Sequence, residues 1–195
     1  MESDILIQYF REFFPLNKVE ISAIKEHVIS RQIRRKQFLL QQDEICKHYS
    51  FIITGCFKMY VLDKKGAEHI LQFAAEKEWI TDLAGFYSGE PSRMFIEAME
   101  PSVVLQINKP ALLSLFTLHH KFDRNFRIIT ERKFIEQQDR ILQNISTTAA
   151  ERYSAFTARY HHLVNRIPNT QIAAYLGVTP EFLSKVRKKL ASGKT

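Results

Sequence analysis

The chain has 195 residues, 45% of them hydrophobic and 12% aromatic, enough apolar material for one or two packed domains and too much for a disordered chain. No run reaches the roughly 18 consecutive apolar residues of a membrane helix, and Met1-Glu2-Ser3-Asp4-Ile5-Leu6 lacks the basic flank and cleavage site of a signal peptide, so a cytoplasmic location without membrane contact is expected. Of the net charge of +7, residues 151–195 hold 8 Lys/Arg against 2 Asp/Glu, net +6, leaving 20 against 19, net +1, for residues 1–150, so a polyanionic partner is expected at the C-terminal quarter.

Residues 3–29 read as helical, with Ile5, Leu6, Tyr9, Phe10 and Phe13 on one stripe, a stop at Pro15, and Leu16, Val19, Ile21, Ile24 and Val28 resuming the spacing. From Ser30 the period changes. Cys46 and Cys56, the only cysteines, are too few for a disulfide scaffold, a four-thiolate zinc site or a four-thiolate cluster, and both read as thiols. Phe57, Met59 and Val61 alternate with Lys58 and Tyr60, Asp63-Lys64-Lys65-Gly66 supplies turn chemistry, and Ala67 to Ala74 resumes an extended pattern, together a hairpin. Met94, Ile96 and Ala98, a turn at Glu100-Pro101, and Val103, Leu105 and Ile107 read as a second strand pair. Short strands with turn punctuation predict a sandwich or jelly roll over about residues 30–108.

After Pro110 the pattern is helical, and Lys121 to Ser146 contains neither Gly nor Pro. Ile128, Ile135 and Leu142 recur every seven residues, with Phe134 and Ile141 beside them at the same spacing, a short coiled-coil-like seam that predicts a homodimer spine. Its companion heptad positions are polar, Gln138 among them.

The last segment is organised by its punctuation. A short helix carrying Ile172, Ala173 and Leu176 ends at Gly177, suited to a left-handed turn, and Val178 fills the corner. Thr179 caps a second helix with Pro180 at its first position, and Leu183 and Val186 turn back to the first. This describes a helix-turn-helix whose second helix displays Glu181, Ser184, Lys185, Arg187 and Lys188, a geometry suited to the major groove of double-stranded DNA.

Strand-rich module, long helix and helix-turn-helix together resemble the cyclic AMP receptor protein/FNR (Crp/Fnr) family of bacterial transcription regulators. The resemblance rests on Phe51-Ile52-Ile53-Thr54-Gly55-Cys56-Phe57-Lys58, on the Asp63-Lys64-Lys65-Gly66 hairpin, and on the run from Ile172 to Lys185. It implies an α+β chain: a jelly-roll (double-stranded β-helix) effector domain over 1–120, a dimerisation helix over 121–148 and a winged-helix-like helix-turn-helix domain over 149–195. By the match to the family's recognition helix, Thr179, Glu181 and Lys185 are expected at phosphates and bases, with Ser184, Arg187 and Lys188 as neighbours. RNA polymerase is a further candidate partner.

The effector cradle departs from the family. Members that bind cyclic nucleotides use Gly-Glu-Leu followed by Arg-Ser, where this chain has Thr81-Asp82-Leu83 and Ser92-Arg93, and counting ten residues on from Asp82 puts Ser92 at the phosphate-pairing position. A buried cyclic phosphate needs a bidentate cation there, so cyclic AMP is not the expected effector. Phe73, Asp82, Leu83, Ser92, Arg93 and Met94 are the candidate pocket, with Phe86 nearby, for an unknown and mostly apolar metabolite, or for none.

No metal or cofactor is expected. The FNR-type cysteine cluster is absent, and His27, His48, His69, His119, His120, His161 and His162 form no distinctive haem-ligand set. Ser192-Gly193-Lys194-Thr195 has the letters of a phosphate loop, but Lys188 stands where its first glycine belongs, and it reads as a tail. No G-x-S-x-G elbow or cupin-type histidine set is present, so an enzyme is not expected. The reading is a dimeric DNA-binding regulator; the alternative is a ligand-binding or protein-interaction module that has lost specific DNA binding.

Overall fold

The computed structural model describes residues 2–192; Gly193, Lys194 and Thr195 of the expected tail lie outside the described residues. Two helices, α1 (Glu2–Arg11) and α2 (Lys18–His27), precede the strands, broken as Pro15 predicts. Asn17 starts α2 with a reciprocal capping box: its Oδ1 accepts the Glu20 N–H at 2.9 Å, and Glu20 Oε2 accepts the Asn17 N–H at 2.8 Å.

Eight strands follow: β1 (Ile29–Ile33), β2 (Phe38–Leu40), β3 (His48–Thr54), β4 (Phe57–Leu62), β5 (Glu68–Ala74), β6 (Trp79–Ile80), β7 (Phe95–Ala98) and β8 (Ser102–Asn108), with a short helix α3 (Leu83–Ser88) between β6 and β7. They form two four-stranded sheets, ordered β1-β8-β3-β6 and β2-β7-β4-β5. The β4–β5 hairpin lies as the alternation predicts. The second expected pair does not: β7 pairs with β2 and β4 in one sheet, while β8 pairs with β1 and β3 in the other. The Glu100-Pro101 corner therefore carries the chain between layers, a connection that periodicity cannot distinguish from a hairpin turn.

Burial follows from that layering. Ser50 and Ile52 lie on one face of β3, while Tyr49 and Phe51 meet rings of flanking helices, with Phe51 at 5.0 Å from Tyr9 and Tyr49 at 5.6 Å from Phe126. Trp79 joins them at 5.0 Å from both Phe51 and Phe126. With both faces covered, β8 is buried on alternate and intervening residues alike. The expected outward face of β4 is likewise covered, and Lys58 Nζ pairs with Glu97 at 3.3 Å with both side chains largely buried. At Gly55, φ is +104°, and a Cβ would stand 2.0 Å from Ser102 Oγ, so this turn admits glycine alone.

Helices α4 (Lys109–Leu118), α5 (His120–Ser146), α6 (Ala149–Arg159), α7 (Asn169–Leu176) and α8 (Pro180–Ala191) complete the chain. Among the described residues no strand follows β8, so the winged-helix likeness is confined to helices. Packing defines two compact units, residues 1–61 with 72–130, and residues 62–71 with 131–195. The long helix α5 runs through both units, which divide after Thr130, and the tip of the β4–β5 hairpin, residues 62–71, groups with the C-terminal helices.

Candidate nucleic-acid interface and effector cradle

The helix-turn-helix is built by its cap residues. Gly177 ends α7 with φ 67° and ψ 34°, a left-handed conformation, and donates its N–H to Ala173 O. Thr179 Oγ1 accepts the Phe182 N–H at 3.2 Å at the start of α8, where Pro180 loses no hydrogen bond. Leu183 is 1% exposed and holds α8 down, while Val186 is half-buried. Thr179, Glu181, Ser184, Lys185, Arg187 and Lys188 are all exposed, and the last five share one helix.

Their local engagements differ. The Glu181 carboxyl is held below its ordinary range by a hydrogen bond from its own backbone N–H and another from the Thr179 hydroxyl, so it serves the helix start as well as facing solvent. Ser184 donates its hydroxyl to Pro180 O at 3.0 Å. Arg187 donates to Asn169 Oδ1 and lies 5.9 Å from the Tyr153 ring, tying α8 to α7 and α6. Lys185 and Lys188 make no ion pair among the described residues. The sequence reading passed over Phe182, 48% exposed beside Glu181; its only signal was an aromatic residue next to the buried Leu183.

In the same unit Arg140 of α5 donates to three backbone carbonyls: Leu71 O at 2.5 Å, Ile70 O at 2.7 Å and Tyr175 O at 2.9 Å. Its guanidinium lies 4.0 Å from the Tyr175 ring. Gln171 Nε2 donates to Glu68 Oε2 at 3.1 Å. One arginine thus ties the hairpin tip, the long helix and the last turn of α7. Carbonyl partners leave no pattern in a sequence, so no signal could have found it.

On α5 the seam residues Phe134, Ile135, Ile141 and Leu142 are 55–63% exposed. Ile128 is half-buried, so the exposed part of the row begins at Phe134. Ile145, 79% exposed, extends it by one turn and was missed because it stands four residues beyond Ile141 rather than seven.

The cradle is closed on itself. Ser92, 2% exposed, donates its hydroxyl to Asp82 Oδ2 at 2.6 Å and accepts the Met94 N–H at 3.0 Å. Its backbone N–H donates to Glu44 O and its carbonyl accepts from Asp43 N, both at 2.8 Å. Phe73 and Asp82 are buried, Met94 is half-buried, and Leu83 and Arg93 are exposed. Ser92 therefore bonds the Asp82 carboxylate, and Arg93 is exposed. A cyclic phosphate would meet the Asp82 carboxylate with no cation from this segment, so the residues present do not fit that ligand.

The first unit does contain a cavity of about 370 Å³, but none of the six expected pocket residues lines it. Its walls include Leu40, Cys46, His48, Ser50, Ile96 and Gln106, drawn from both sheets. Among the described residues no group of three or more His, Cys, Asp or Glu is placed to hold a metal ion, and no helix is long and apolar enough to cross a membrane.

Comparison with known proteins agrees with this architecture. Residues 30–119 match the cyclic nucleotide-binding domain family. In fold the chain is similar to FixK2 from Bradyrhizobium japonicum, with TM-score 0.75, 20% identity and 85% of each chain covered. It is also similar to a protein from Eubacterium rectale described as a transcriptional regulator of the crp/fnr family, with TM-score 0.74, 16% identity and coverage of 95% and 89%. A third similar structure is the c-di-GMP responsive global regulator CLP from Xanthomonas campestris, with TM-score 0.69, 14% identity and coverage of 91% and 93%. No curated protein matches the chain in sequence.

Proposed function

We propose that the protein is a dimeric DNA-binding transcription regulator of the Crp/Fnr type whose effector is not cyclic AMP. The observation that carries the reading is α8: capped by Thr179, anchored by Leu183, and presenting Lys185 and Lys188, which are exposed and make no ion pair among the described residues. A helix so exposed fits the major groove, where Lys185, nearer its start, reaches base edges while Lys188 meets phosphate. Glu181 and Phe182 add an acceptor for cytosine and an apolar contact for thymine methyl groups. Thr179 and Ser184 lie along the backbone path, and Arg187 fixes the angle between the helices.

Pairing of two chains through Phe134, Ile135, Ile141, Leu142 and Ile145 removes a row of exposed apolar side chains from water and gives two recognition helices a common two-fold axis. RNA polymerase is the natural further partner of such a regulator.

Fluorescence anisotropy of the full chain on random-sequence duplex DNA tests the reading. Affinity should fall linearly with salt on logarithmic axes, with a slope of about −0.9 per phosphate neutralised. Absence of salt-dependent binding would replace it with the alternative of an interaction module.

A further inference from the structure

The cavity between the sheets of the first unit has a floor and a mouth of different chemistry. Strand order β1-β8-β3-β6 sets Gln106 opposite Ser50, and Ser50 opposite Ile80. Arg31 Nη1 donates to Gln106 Oε1 at 2.9 Å, and Gln106 Nε2 donates to Ser50 Oγ at 3.0 Å. Ser50 and Gln106 are each 3% exposed. Ser50 Oγ is thereby used as an acceptor, and its hydroxyl hydrogen has no acceptor among the described residues while the side chain lines the cavity. The chain Arg31, Gln106, Ser50 is polarised in one direction and ends in a donor, so the floor asks for a ligand oxygen.

The remaining walls narrow the class. Leu39, Leu40, Ile80 and Ile96 provide apolar surface. Lys47 lines the cavity, is exposed and has no ion pair among the described residues. Glu44 also lines it, but its Oε2 accepts the Gln41 N–H at 2.9 Å and closes its own turn. His48 is kept in its neutral form by burial, then by the charges of Arg31 and Lys47. Burial also raises the Cys46 thiol, which lies 3.2 Å from Thr81 Oγ1, so it supplies no thiolate.

We propose that this cavity is a binding site for a small aliphatic monocarboxylate, its acid group accepting from Ser50 with Lys47 as countercharge and its hydrocarbon body between Leu39, Leu40, Ile80 and Ile96. A volume of about 370 Å³ equals that of roughly 12 liquid-phase waters, ample room for a short acid. A phosphate dianion would want a bidentate cation at the floor, where only a hydroxyl stands. An amino acid would bring an ammonium group to a lining that offers one carboxylate, Glu44, one oxygen of which already accepts the Gln41 N–H. The site is separate from the Asp82–Ser92 cradle and stands whether or not α8 binds DNA.

Isothermal titration of the full chain with 4-methylpentanoate, its primary amide, leucine and inorganic phosphate tests the assignment. The carboxylate should bind saturably with a Kd below about 1 mM, and the other three roughly tenfold more weakly or not at all. Ser50→Ala and Lys47→Gln should each weaken the carboxylate by roughly tenfold, the exposed Lys47→Gln carrying the test if Ser50→Ala impairs folding. The proposal is overturned if neither 4-methylpentanoate nor its shorter and longer homologues bind, if the amide, leucine or phosphate bind as well, or if affinity survives both substitutions. DNA affinity measured on the same samples keeps the two readings apart: its loss with carboxylate binding intact would count against the regulator alone.

Discussion

Lys185 and Lys188 lie three residues apart on one helix, and under the proposed function their different distances from the Thr179 cap would give them different work. Lys185→Ala should lose discrimination of about 1–3 kcal/mol at one base pair, read by binding-site selection. Lys188→Ala should weaken all duplexes alike and reduce the salt slope by about one phosphate. Selection that returns an unchanged motif for Lys185→Ala would exclude it from base readout. These residues were legible because Gly177, Thr179 and Pro180 punctuate locally. The Arg187–Asn169 bond was not, since its partners stand far apart in sequence and meet only after α7 and α8 have packed. His48 illustrates the same limit, because its surroundings come from β1 and the segment before β3. Burial lowers its pKa from the ordinary 6.5, so below that value the unfolded chain takes up a proton that the folded chain refuses. This contribution to stability is present above about pH 6.5 and is lost as pH falls through the lower folded value. Urea unfolding at about pH 7.5 and about pH 5.5 should show a pH-dependent loss that His48→Gln reduces; an unchanged loss would assign it to other groups.

Helix α5 changes character along its length. Its early residues Phe122, Phe126 and Ile129 are buried in the aromatic core of the first unit, whereas Phe134, Ile135, Ile141 and Leu142 face solvent. The seven-residue recurrence located the apolar rows correctly but could not show that Ile128 is half-covered by its own chain. Burying each large apolar side chain at a partner contributes about 1.5–3 kcal/mol, so Ile135→Glu, which places a charge in the proposed seam, should raise the dimer dissociation constant by more than roughly tenfold. The same change at Lys133, which already pairs with Glu136 at 3.4 Å, should matter less. Sedimentation equilibrium of both variants distinguishes them, and equal dimer strength would remove α5 from the interface. Among the strands, the β4–β5 hairpin was readable because Asp63-Lys64-Lys65-Gly66 closes it directly. The β7–β8 corner misled because alternation reports which residues share a face and not which sheet a strand joins. Helix α3 was hidden inside the expected cradle, too short to display a period.

The two units draw on distant parts of the chain, since residues 62–71 group with the C-terminal helices. That exchange has no trace in composition, whereas the concentration of +6 in residues 151–195 is visible by counting. In the first unit the family resemblance, with a count of ten residues from Asp82, implies Ser92 at the position of the phosphate-pairing cation, while its bond to Asp82 required the fold. Titration with cyclic AMP and cyclic GMP should accordingly give no saturable binding up to about 1 mM, and a micromolar Kd would contradict the closed cradle. The regulator reading as a whole meets its most direct test in selection of bound duplexes from a random pool, with the stoichiometry of the selected complex measured by sedimentation. The expected outcome is two protein chains on a two-fold symmetric site with half-sites about 10 base pairs apart. Recovery of no enriched sequence, or of a single half-site bound by one chain, would contradict it.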